Sequence, residues 1–264
     1  MGESTASAPA GLSVFFPAYN DGGTIARLVI SALQTARTLT PDFEVIVVND
    51  GSQDGTREIA DELARTYPQV RVVHHPQNRG YGDALRSGFA AASREFVFYT
   101  DGDAQYDARE LGVLVEALRP DVDVVNGWKI KRRDPAHRIW IGMAYQYFVK
   151  LAFGLVIRDV DCDFRLMRRS IFDVVQLEGV HGEITFELVK KIQDAGFKFA
   201  EAPVHHYYRQ YGQSQFFNVP RVARTLRDLV RWWWRLVVRQ EGKRAAQRRM
   251  QEMGHRSQDV GSPV

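Results

Sequence analysis

Short apolar runs in the first half of the chain alternate with segments in which apolar residues recur at helical spacing. The apolar runs predict five strands, at Leu12–Pro17, Phe43–Asn49, Val70–His74, Glu95–Thr100 and Val122–Asn126. The helical segments between them are Thr24–Leu39, Asp54–Tyr67, Gly80–Ala92 and Arg109–Leu118. The run FEVIVVN is apolar almost throughout, which is typical of a strand covered on both faces. Strands that alternate with helices predict an α/β fold with a mostly parallel sheet.

The second half of the chain is less regular. Its predicted elements are a helix at Pro135–Gly154, a polar loop at Arg158–Asp163, a helix at Glu183–Ala195, extended chain at Phe197–His206 and a long amphipathic helix at Pro220–Glu241. The small or polar residues 1–10 and the polar tail from Gly242 to the end predict disorder. We therefore expect one globular domain over residues 11–219, followed by the helix at 220–241 and a disordered tail at 242–264.

Polar side chains follow the predicted strands, at the edge of the sheet where ligands bind in α/β folds. Asp101 and Asp103 come directly after the run EFVFYT. Residues i and i+2 of an extended chain point the same way, so these two carboxylates can meet one hard cation such as Mg²⁺ or Mn²⁺. Gln105 is a further candidate metal ligand, and Gly102 would leave room for a diphosphate. An acidic D-x-D turn alone is common, and its place after a buried strand favours the metal site.

Three other turns are candidates for binding a nucleotide. Pro17, Tyr19 and Asn20 follow the first strand, and Asp50 follows the second, where its carboxylate can accept hydrogen bonds from a base or a ribose. Gly82 lies in a glycine-rich helix start, which favours a neighbouring anion. This segment lacks the G-x-G-x-x-G fingerprint, which argues against a dinucleotide-dependent dehydrogenase.

Composition restricts the class of protein. Apolar residues make up 45% of the 264 residues and charged residues 25%, as in ordinary globular proteins, and the net charge is +3. Positive charge is nevertheless concentrated at Arg221–Arg249, which indicates an anionic partner such as lipid headgroups or nucleic acid. The single cysteine, Cys162, excludes an internal disulfide and fits a reducing cytoplasm. No stretch is apolar enough for a clear membrane span, since Gln146 and Lys150 interrupt the best one.

Four motifs, taken together, resemble the family 2 glycosyltransferases of the GT-A fold. They are PAYND, VVNDGSQDGT, NRGYGDALRSGF and YTDGDAQY, and they occur in the family's order and at its spacing over about residues 12–110. The resemblance implies that Asp50 contacts the nucleotide of a nucleotide-sugar donor. It also implies that Asp101 and Asp103 hold a metal on the donor diphosphate, and that transfer inverts the anomeric configuration.

Two later motifs, DCDFRLMRR and HYYRQYGQS, are similar to those of the polyprenyl-phosphate sugar transferases, the dolichol-phosphate mannose synthase group. The resemblance implies that Arg209 closes over the donor phosphates and that the first motif lies beside a polyprenyl-phosphate acceptor. In and just before that motif, Asp163 is the candidate base or orienting group, with Asp159 and Asp161 as alternatives that are also assigned to the acceptor. Basic residues nearby are assigned to the substrates: Lys129 and Arg138 to the donor, Arg133 and Arg165 to the acceptor.

The helix predicted at Pro220–Glu241 combines an apolar, tryptophan-rich stripe with a stripe of arginines. This pattern fits a peripheral helix on an anionic membrane, which would place the protein at the cytoplasmic membrane face. It fits equally a helix packed on its own domain or on another copy, so oligomerisation stays open. Three rival functions remain. They are a glycosyltransferase with a soluble or glycan hydroxyl acceptor, a nucleic-acid-binding protein, which leaves the strand-end aspartates unexplained, and a catalytically inactive donor-binding module, against which the intact pair Asp101 and Asp103 argues.

Overall fold

The computed structural model describes residues 9–132, 136–208 and 227–259, without the side chains of residues 131–132, 136–139, 141 and 255–259. Its first half contains the predicted elements: β1 (Leu12–Ala18), α1 (Ile25–Leu39), β2 (Phe43–Asn49), α2 (Thr56–Thr66), β3 (Val70–His74), α3 (Tyr81–Ala91) and β4 (Phe96–Thr100). A 3₁₀ turn (Ala108–Glu110) and the short helix α4 (Leu111–Glu116) follow, and then β5 (Val124–Arg132). The strand and helix boundaries of this half differ from the sequence predictions mainly at β5, which continues to Arg132, and at α4, which is shorter.

The second half adds α5 (Ala136–Phe153), β6 (Phe164–Arg168), α6 (Ile171–Val174), α7 (Glu183–Asp194) and β7 (Phe199–His206). The helix α8 is described over residues 227–238, where the last five form a π-helical turn, and α9 spans Glu241–Asp259. The sequence analysis misses β6 and α6, and it misses α9.

Seven strands form one sheet in the order β3-β2-β1-β4-β6-β5-β7. All neighbouring pairs are parallel except those of β6, which runs antiparallel to both β4 and β5. This mixed, mostly parallel sheet with flanking helices confirms the predicted α/β fold. Because β6 is antiparallel, its first residue, Phe164, pairs with the last residue of β4, Thr100. The residues just before β6 therefore lie at the same sheet edge as the residues just after β4.

Each face of the sheet has its own buried core, and successive residues of one strand enter opposite cores. Phe16 of β1 packs in the cluster with α1 and α4, whereas its neighbour Phe15 packs in the cluster with α3 and α7. A third cluster joins α5, α7 and α8 through Phe153, Phe186 and Trp232, among others. Burial on both faces explains why the strand sequences are apolar without alternation.

The disorder predicted from Gly242 onward is wrong for the segment that forms α9. The long helix predicted up to Glu241 instead ends near Val238, and Gln240 has a left-handed backbone with φ of 51°. α9 then packs on α7, where Gly242 and Ala246 are buried. A β-carbon on Gly242 would lie 3.0 Å from a side-chain carbon of Lys191, so small residues allow this otherwise polar helix to approach. Residues 1–8 and 220–226, also assigned from sequence, lie outside the described residues.

No helix in the described parts of the chain is long and apolar enough to cross a membrane.

Candidate active site

Three carboxylates meet at the carboxyl edge of the sheet. Asp101 and Asp103 follow β4, and Asp163 precedes β6, whose antiparallel direction brings it to the same edge. Burial, and then the negative charges of Asp163 and Asp103, raise the pKa of Asp101 well above its usual range. The hydroxyl of Tyr81 donates a hydrogen bond to Asp101 Oδ1 over 2.7 Å. Negative charge thus accumulates at this edge, which suits a bound cation.

Asp163 is held by Tyr99, near the end of β4, and by Arg165, near the start of β6. Its Oδ1 accepts a hydrogen bond from the hydroxyl of Tyr99 over 3.1 Å and lies 3.4 Å from Nη1 of Arg165. Arg165 in turn donates to the Tyr99 hydroxyl. Burial raises the pKa of Tyr99 well above its usual range, so its hydroxyl keeps the proton that it donates. Asp163 therefore has a fixed orientation toward the Asp101 side of the cluster.

Arg165 does not reach a substrate, and its assignment to the acceptor is wrong. Its side chain is fully buried, and Nε donates to Asn126 Oδ1 over 2.7 Å, while Nη2 donates to the carbonyl of Val160. A position near the middle of a sheet covered on both faces leaves the guanidinium no path to solvent. Its hydrogen bonds instead fix the loop before β6 and the carboxylate of Asp163.

Lys129 is likewise used inside the protein rather than on a donor phosphate. Its Nζ donates to the carbonyl of Asp161 over 2.7 Å and lies 3.6 Å from Asp159 Oδ1. The backbone N–H of Lys129 donates to Asp159 Oδ2 over 3.2 Å. Burial raises the pKa of Asp161 to about 6, and Lys129 partly offsets this effect. Asp159 is buried in this loop, which leaves Asp163 as the candidate next to the metal carboxylates.

The turn after β4 offers two carboxylates to a metal but not a third protein ligand. Asp103 Oδ1 accepts the N–H of Gln105 over 3.0 Å, and the Gln105 amide nitrogen donates to the carbonyl of Tyr207 over 3.2 Å. Gln105 therefore ties the turn to the end of β7, a different role from the expected metal ligand. Over residues 9–132, 136–208 and 227–259, no group of three or more His, Cys, Asp or Glu side chains is arranged to hold a metal ion.

The space beside Gly102 is occupied by protein. A β-carbon there would lie 2.8 Å from the carbonyl oxygen of Pro17 and 2.9 Å from Asp21 Oδ2. The Gly102 N–H donates to that carbonyl, and its own carbonyl accepts from the Thr24 hydroxyl. Gly102 thus allows the turn after β4 to pack against the end of β1. The space that a side chain at this position would occupy is therefore filled by protein and does not hold a diphosphate. The Pro17 carbonyl is likewise used for packing.

Gly82 is also a packing glycine, which contradicts its assignment to the donor. A β-carbon on it would lie 2.0 Å from the carbonyl oxygen of Gly179, and its N–H donates to the carbonyl of Val180 over 2.8 Å. The first turn of α3 is thus covered by the loop that precedes α7, so the N–H of Gly82 is not available to a phosphate.

Asp50 organises the loop before α3. Its carboxylate is buried and accepts hydrogen bonds from His75 Nδ1 over 2.6 Å and from the N–H groups of Arg79 and Gly80, each over 2.9 Å. These bonds place Tyr81 at the start of α3, from where it reaches Asp101. A direct contact between Asp50 and a nucleotide stays a prediction.

Tyr19 and Asn20 form the exposed rim next to Asp50. The side-chain oxygen of Asn20 accepts a hydrogen bond from the backbone N–H of Gln53 over 2.8 Å, and the backbone N–H of Asn20 donates to the Ser52 hydroxyl. The ring of Tyr19 is 41% exposed and is therefore accessible to a flat ligand such as a base. Arg133 and Arg209 lie outside the described residues, and so does the side chain of Arg138.

The sequence does not single out the two tyrosines that hold the carboxylates. Tyr99 belongs to an apolar run, although it lies two residues before Asp101 and therefore on the same side of the extended chain. That alternation is a signal for Tyr99. Tyr81 has no signal of its own, because its contact with Asp101 depends on how the loop before α3 folds.

Comparison with known proteins identifies relatives of the chain. Residues 13–175 match the family described as Glycosyl transferase family 2. The chain is 34% identical over 237 residues to the glycosyltransferase AglD of Haloferax volcanii, covering 86% of this chain and 38% of that protein. It is 27% identical over 221 residues to an undecaprenyl-phosphate 4-deoxy-4-formamido-L-arabinose transferase of Yersinia pestis, covering 83% of this chain and 66% of that protein. The chain therefore spans between about two fifths and two thirds of the length of these relatives.

The fold also matches solved structures. The glucosyl-3-phosphoglycerate synthase of Mycobacterium tuberculosis, in complex with Mn²⁺, uridine diphosphate and glucosyl-3-phosphoglycerate, superposes with a TM-score of 0.64 at 19% identity. The match covers 85% of this chain and 79% of that chain. At this identity the likeness shows a shared fold.

Proposed function

The chain belongs to glycosyl transferase family 2, and on that premise we propose that it transfers a sugar from a nucleotide-sugar donor to a polyprenyl phosphate, in a metal-dependent reaction that inverts the anomeric configuration. The observation that carries the proposal is the meeting of Asp101, Asp103 and Asp163 at one sheet edge. Two carboxylates come from the end of a parallel strand and the third from the start of an antiparallel one. The site thus has a metal-binding side and a second side for an acceptor.

The name of one relative supports the choice of acceptor, since it is an undecaprenyl-phosphate 4-deoxy-4-formamido-L-arabinose transferase. Its similarity to this chain extends over 83% of the chain, well beyond the donor-binding motifs, so it includes the loop before β6. We take this loop, residues 158–163, as the acceptor side of the site.

Asp101 and Asp103 would hold the divalent ion. Carboxylate oxygens are the ligands that Mg²⁺ and Mn²⁺ prefer, and Mg²⁺ typically takes one or two carboxylates and completes its shell with phosphates and water. The buried, mutually repelling carboxylates fit this role, since a cation would offset the burial, and then the repulsion, that raise the pKa of Asp101. Solved structures of the same fold contain Mn²⁺ or Mg²⁺ together with uridine diphosphate. When bound, the ion supplies positive charge that stabilises the departing diphosphate.

Asp163 would position the acceptor. A phosphate monoester has a second pKa near ~6 and is mostly ionised at pH 7, so it needs orientation more than deprotonation. The bonds from Tyr99 and Arg165 hold the Asp163 carboxylate in one place, as an orienting group requires. A hydroxyl acceptor would need a general base instead, and Asp163 is the candidate for that role too. Arg209 remains our candidate for the arginine that closes over the donor phosphates, because its planar fork suits phosphate oxygens.

We further propose that the protein acts at an anionic membrane surface on the cytoplasmic side, where a polyprenyl phosphate is accessible. The helix α8 cannot form this membrane contact with all of its apolar stripe and arginines, as its sequence suggests. Leu229, Trp232 and Leu236 of its apolar stripe are buried in the cluster with α5 and α7. Arg235 is bound to Glu178 Oε2 over 2.7 Å and to Glu241 Oε2 over 2.6 Å. One face of α8 therefore packs on its own domain, as one of the sequence alternatives has it.

The proposal is tested with a panel of nucleotide sugars, polyprenyl phosphate as acceptor, and Mg²⁺, Mn²⁺ or EDTA. We expect a glycolipid product from one donor, with the opposite anomeric configuration, and no product in EDTA. Equal transfer to soluble hydroxyl acceptors without lipid would favour the rival glycosyltransferase. Salt-sensitive binding to DNA or RNA without any sugar transfer would favour the nucleic-acid rival.

A further inference from the structure

One face of α5 exposes large apolar side chains from Trp140 to Leu151. Trp140 and Tyr147 are each 72% exposed and Leu151 is 74% exposed. Among the described side chains, the large exposed apolar residues here, including one shortly after the helix, are Trp140, Met143, Tyr147, Phe148, Leu151 and Val156. Positions three, seven, eight and eleven residues after Trp140 place the five helical ones on one side. Contiguous apolar surface of this kind marks an interaction site on a soluble domain.

The opposite face of α5 is already used. Val149 and Phe153 are buried in the third core cluster, and the ring of Phe153 lies 4.7 Å from that of Phe186 on α7. α5 is thus apolar on both sides, and its packing on α7 fixes which side faces outward. The exposed side chains of α5 are therefore not required for packing within the domain.

The segment that contains this face has no negative charge, since between Ala136 and Arg158 the sequence contains no aspartate or glutamate. Arg158 at its end and Arg239 on α8 are exposed, and each forms an ion pair with a glutamate. Tryptophan and tyrosine rings flanked by arginine are typical of a helix that lies in the interface of a membrane with anionic lipids.

The exposed part of α8 continues the same surface. The indole N–H of Trp233 donates to the carbonyl of Ala152, at the end of α5, over 2.9 Å. Val230 and Trp234 of α8 are exposed as well. The two helices thus form one aromatic and basic surface, and most of its exposed apolar residues belong to α5.

The surface adjoins the acceptor side of the proposed site. The side-chain amide of Gln146 on α5 donates to the carbonyl of Arg158, where the loop 158–163 begins. Burial, followed by the negative charges of Asp161 and Glu183, raises the pKa of Tyr145, which places this α5 side chain close to the same loop. A headgroup at the level of α5 would therefore meet the loop that contains Asp163.

We propose that the exposed face of α5, continued by α8, is the surface that contacts the lipid bilayer, and that it presents loop 158–163 to acceptor phosphates in the headgroup layer. This inference rests on the proposed function for its acceptor. It differs from the sequence expectation that the final helix is the membrane anchor. Insertion of the α5 aromatic and aliphatic side chains provides the main attraction, and the bordering arginines add an electrostatic part that salt screens.

The test measures binding of the full chain to vesicles of phosphatidylcholine and phosphatidylglycerol in equal parts. In Trp140→Glu and in Leu151→Glu we expect binding to fall at least about tenfold, because each loses a large inserted side chain and places a carboxylate near anionic lipid. The matched control is Ile30→Glu, an exposed apolar residue on α1, which should bind like the wild type. High salt should weaken wild-type binding without abolishing it.

A second measurement does not depend on charge reversal. Lipids with brominated acyl chains should quench the protein's tryptophan fluorescence, and Trp140→Phe should lose part of that quenching. Vesicle binding that is unchanged in both glutamate variants, or quenching that is unchanged in Trp140→Phe, would overturn the proposal. A wild-type dimer that the glutamate variants convert to monomers, with vesicle binding intact, would assign the face to a second copy and would also overturn it.

Failure of this inference can be told apart from failure of the proposed function. Turnover with a short-chain, water-soluble prenyl phosphate should be equal in wild type, Trp140→Glu and Leu151→Glu, because the active site is unchanged. If no variant, including wild type, uses that acceptor, then the proposed function fails whatever the vesicle result. If the wild type and both variants use the soluble acceptor and none of the three proteins binds vesicles, only the proposed membrane surface is wrong.

Discussion

Replacing Tyr81 by phenylalanine removes one hydroxyl from the acidic site and leaves the ring in place. That hydroxyl donates to Asp101 Oδ1 over 2.7 Å. Burial, and then the charge of Asp101, raise the pKa of Tyr81 well above its usual range, so the hydroxyl remains a donor at any pH at which the enzyme would work. A hydrogen bond to a charged group contributes about 1.5–3 kcal/mol. We therefore expect Tyr81→Phe to lower metal-dependent turnover by roughly 10- to 150-fold.

The assay titrates Mg²⁺ or Mn²⁺ at saturating donor and acceptor, and thermal unfolding is followed in parallel. We expect a higher metal concentration at half-maximal rate, because the lost bond orients a metal-binding carboxylate. Tyr67→Phe is the control, since Tyr67 lies between α2 and β3 at the opposite edge of the sheet. If Tyr81→Phe has wild-type turnover and wild-type metal dependence, the hydroxyl does not position Asp101 and the reasoning fails.

Three further changes test other parts of the structure. Asp103→Ala should abolish turnover while leaving the thermal melt close to that of the wild type, and full activity of this variant in EDTA would remove the metal from the mechanism. Gly82→Ala should lower the free energy of unfolding by about 2 kcal/mol or more, because the new β-carbon would lie 2.0 Å from a carbonyl oxygen. The matched change Gly112→Ala, which meets nothing within 4 Å in α4, should stabilise by about 0.5–1 kcal/mol, and calorimetry of the pair decides. Arg209→Ala should lose turnover that Arg209→Lys recovers only in part, since lysine lacks the planar fork, and wild-type rates in Arg209→Ala at saturating donor would refute its role.

The donor half of the fold can be predicted from sequence because each of its strands is buried on both faces and each is followed by a helix. β2 and β3 have the predicted boundaries. β6 could not be recognised in the same way, since the five residues FRLMR include two arginines. Arg165 is acceptable in a buried strand only because Asn126, Tyr99 and Val160 accept its hydrogen bonds, and two of these partners, Asn126 and Tyr99, lie far away in sequence.

The candidate site could be predicted in its acidic residues and not in its glycines. Asp101 and Asp103 can be identified because they directly follow a buried strand, where residues i and i+2 point in the same direction. Gly82 and Gly102 were assigned to the donor because an absent side chain suggests space for a ligand, but a sequence does not tell which atoms fill that space. The backbone of the loop before α7 fills the space beside Gly82, and the end of β1 with the Asp21 carboxylate fills the space beside Gly102. The sequence does not indicate α9 for a related reason, since among its described side chains only the small residues Gly242 and Ala246 are buried and most of the others are polar.

The position of β6 between β4 and β5 has a consequence for synthesis of the chain. β1 to β4 can assemble as soon as they are made, but one edge of β4 then has no partner until Phe164–Arg168 has followed. Residues 101–163 must be translated first, which takes about 3–13 s at ribosomal rates. During that interval the uncharged strand FVFYT is an open edge, the kind of surface that pairs with other chains and aggregates. Slower translation of this stretch, or a shortage of chaperones, should therefore reduce the yield of folded protein even though the finished sheet leaves β4 no free edge.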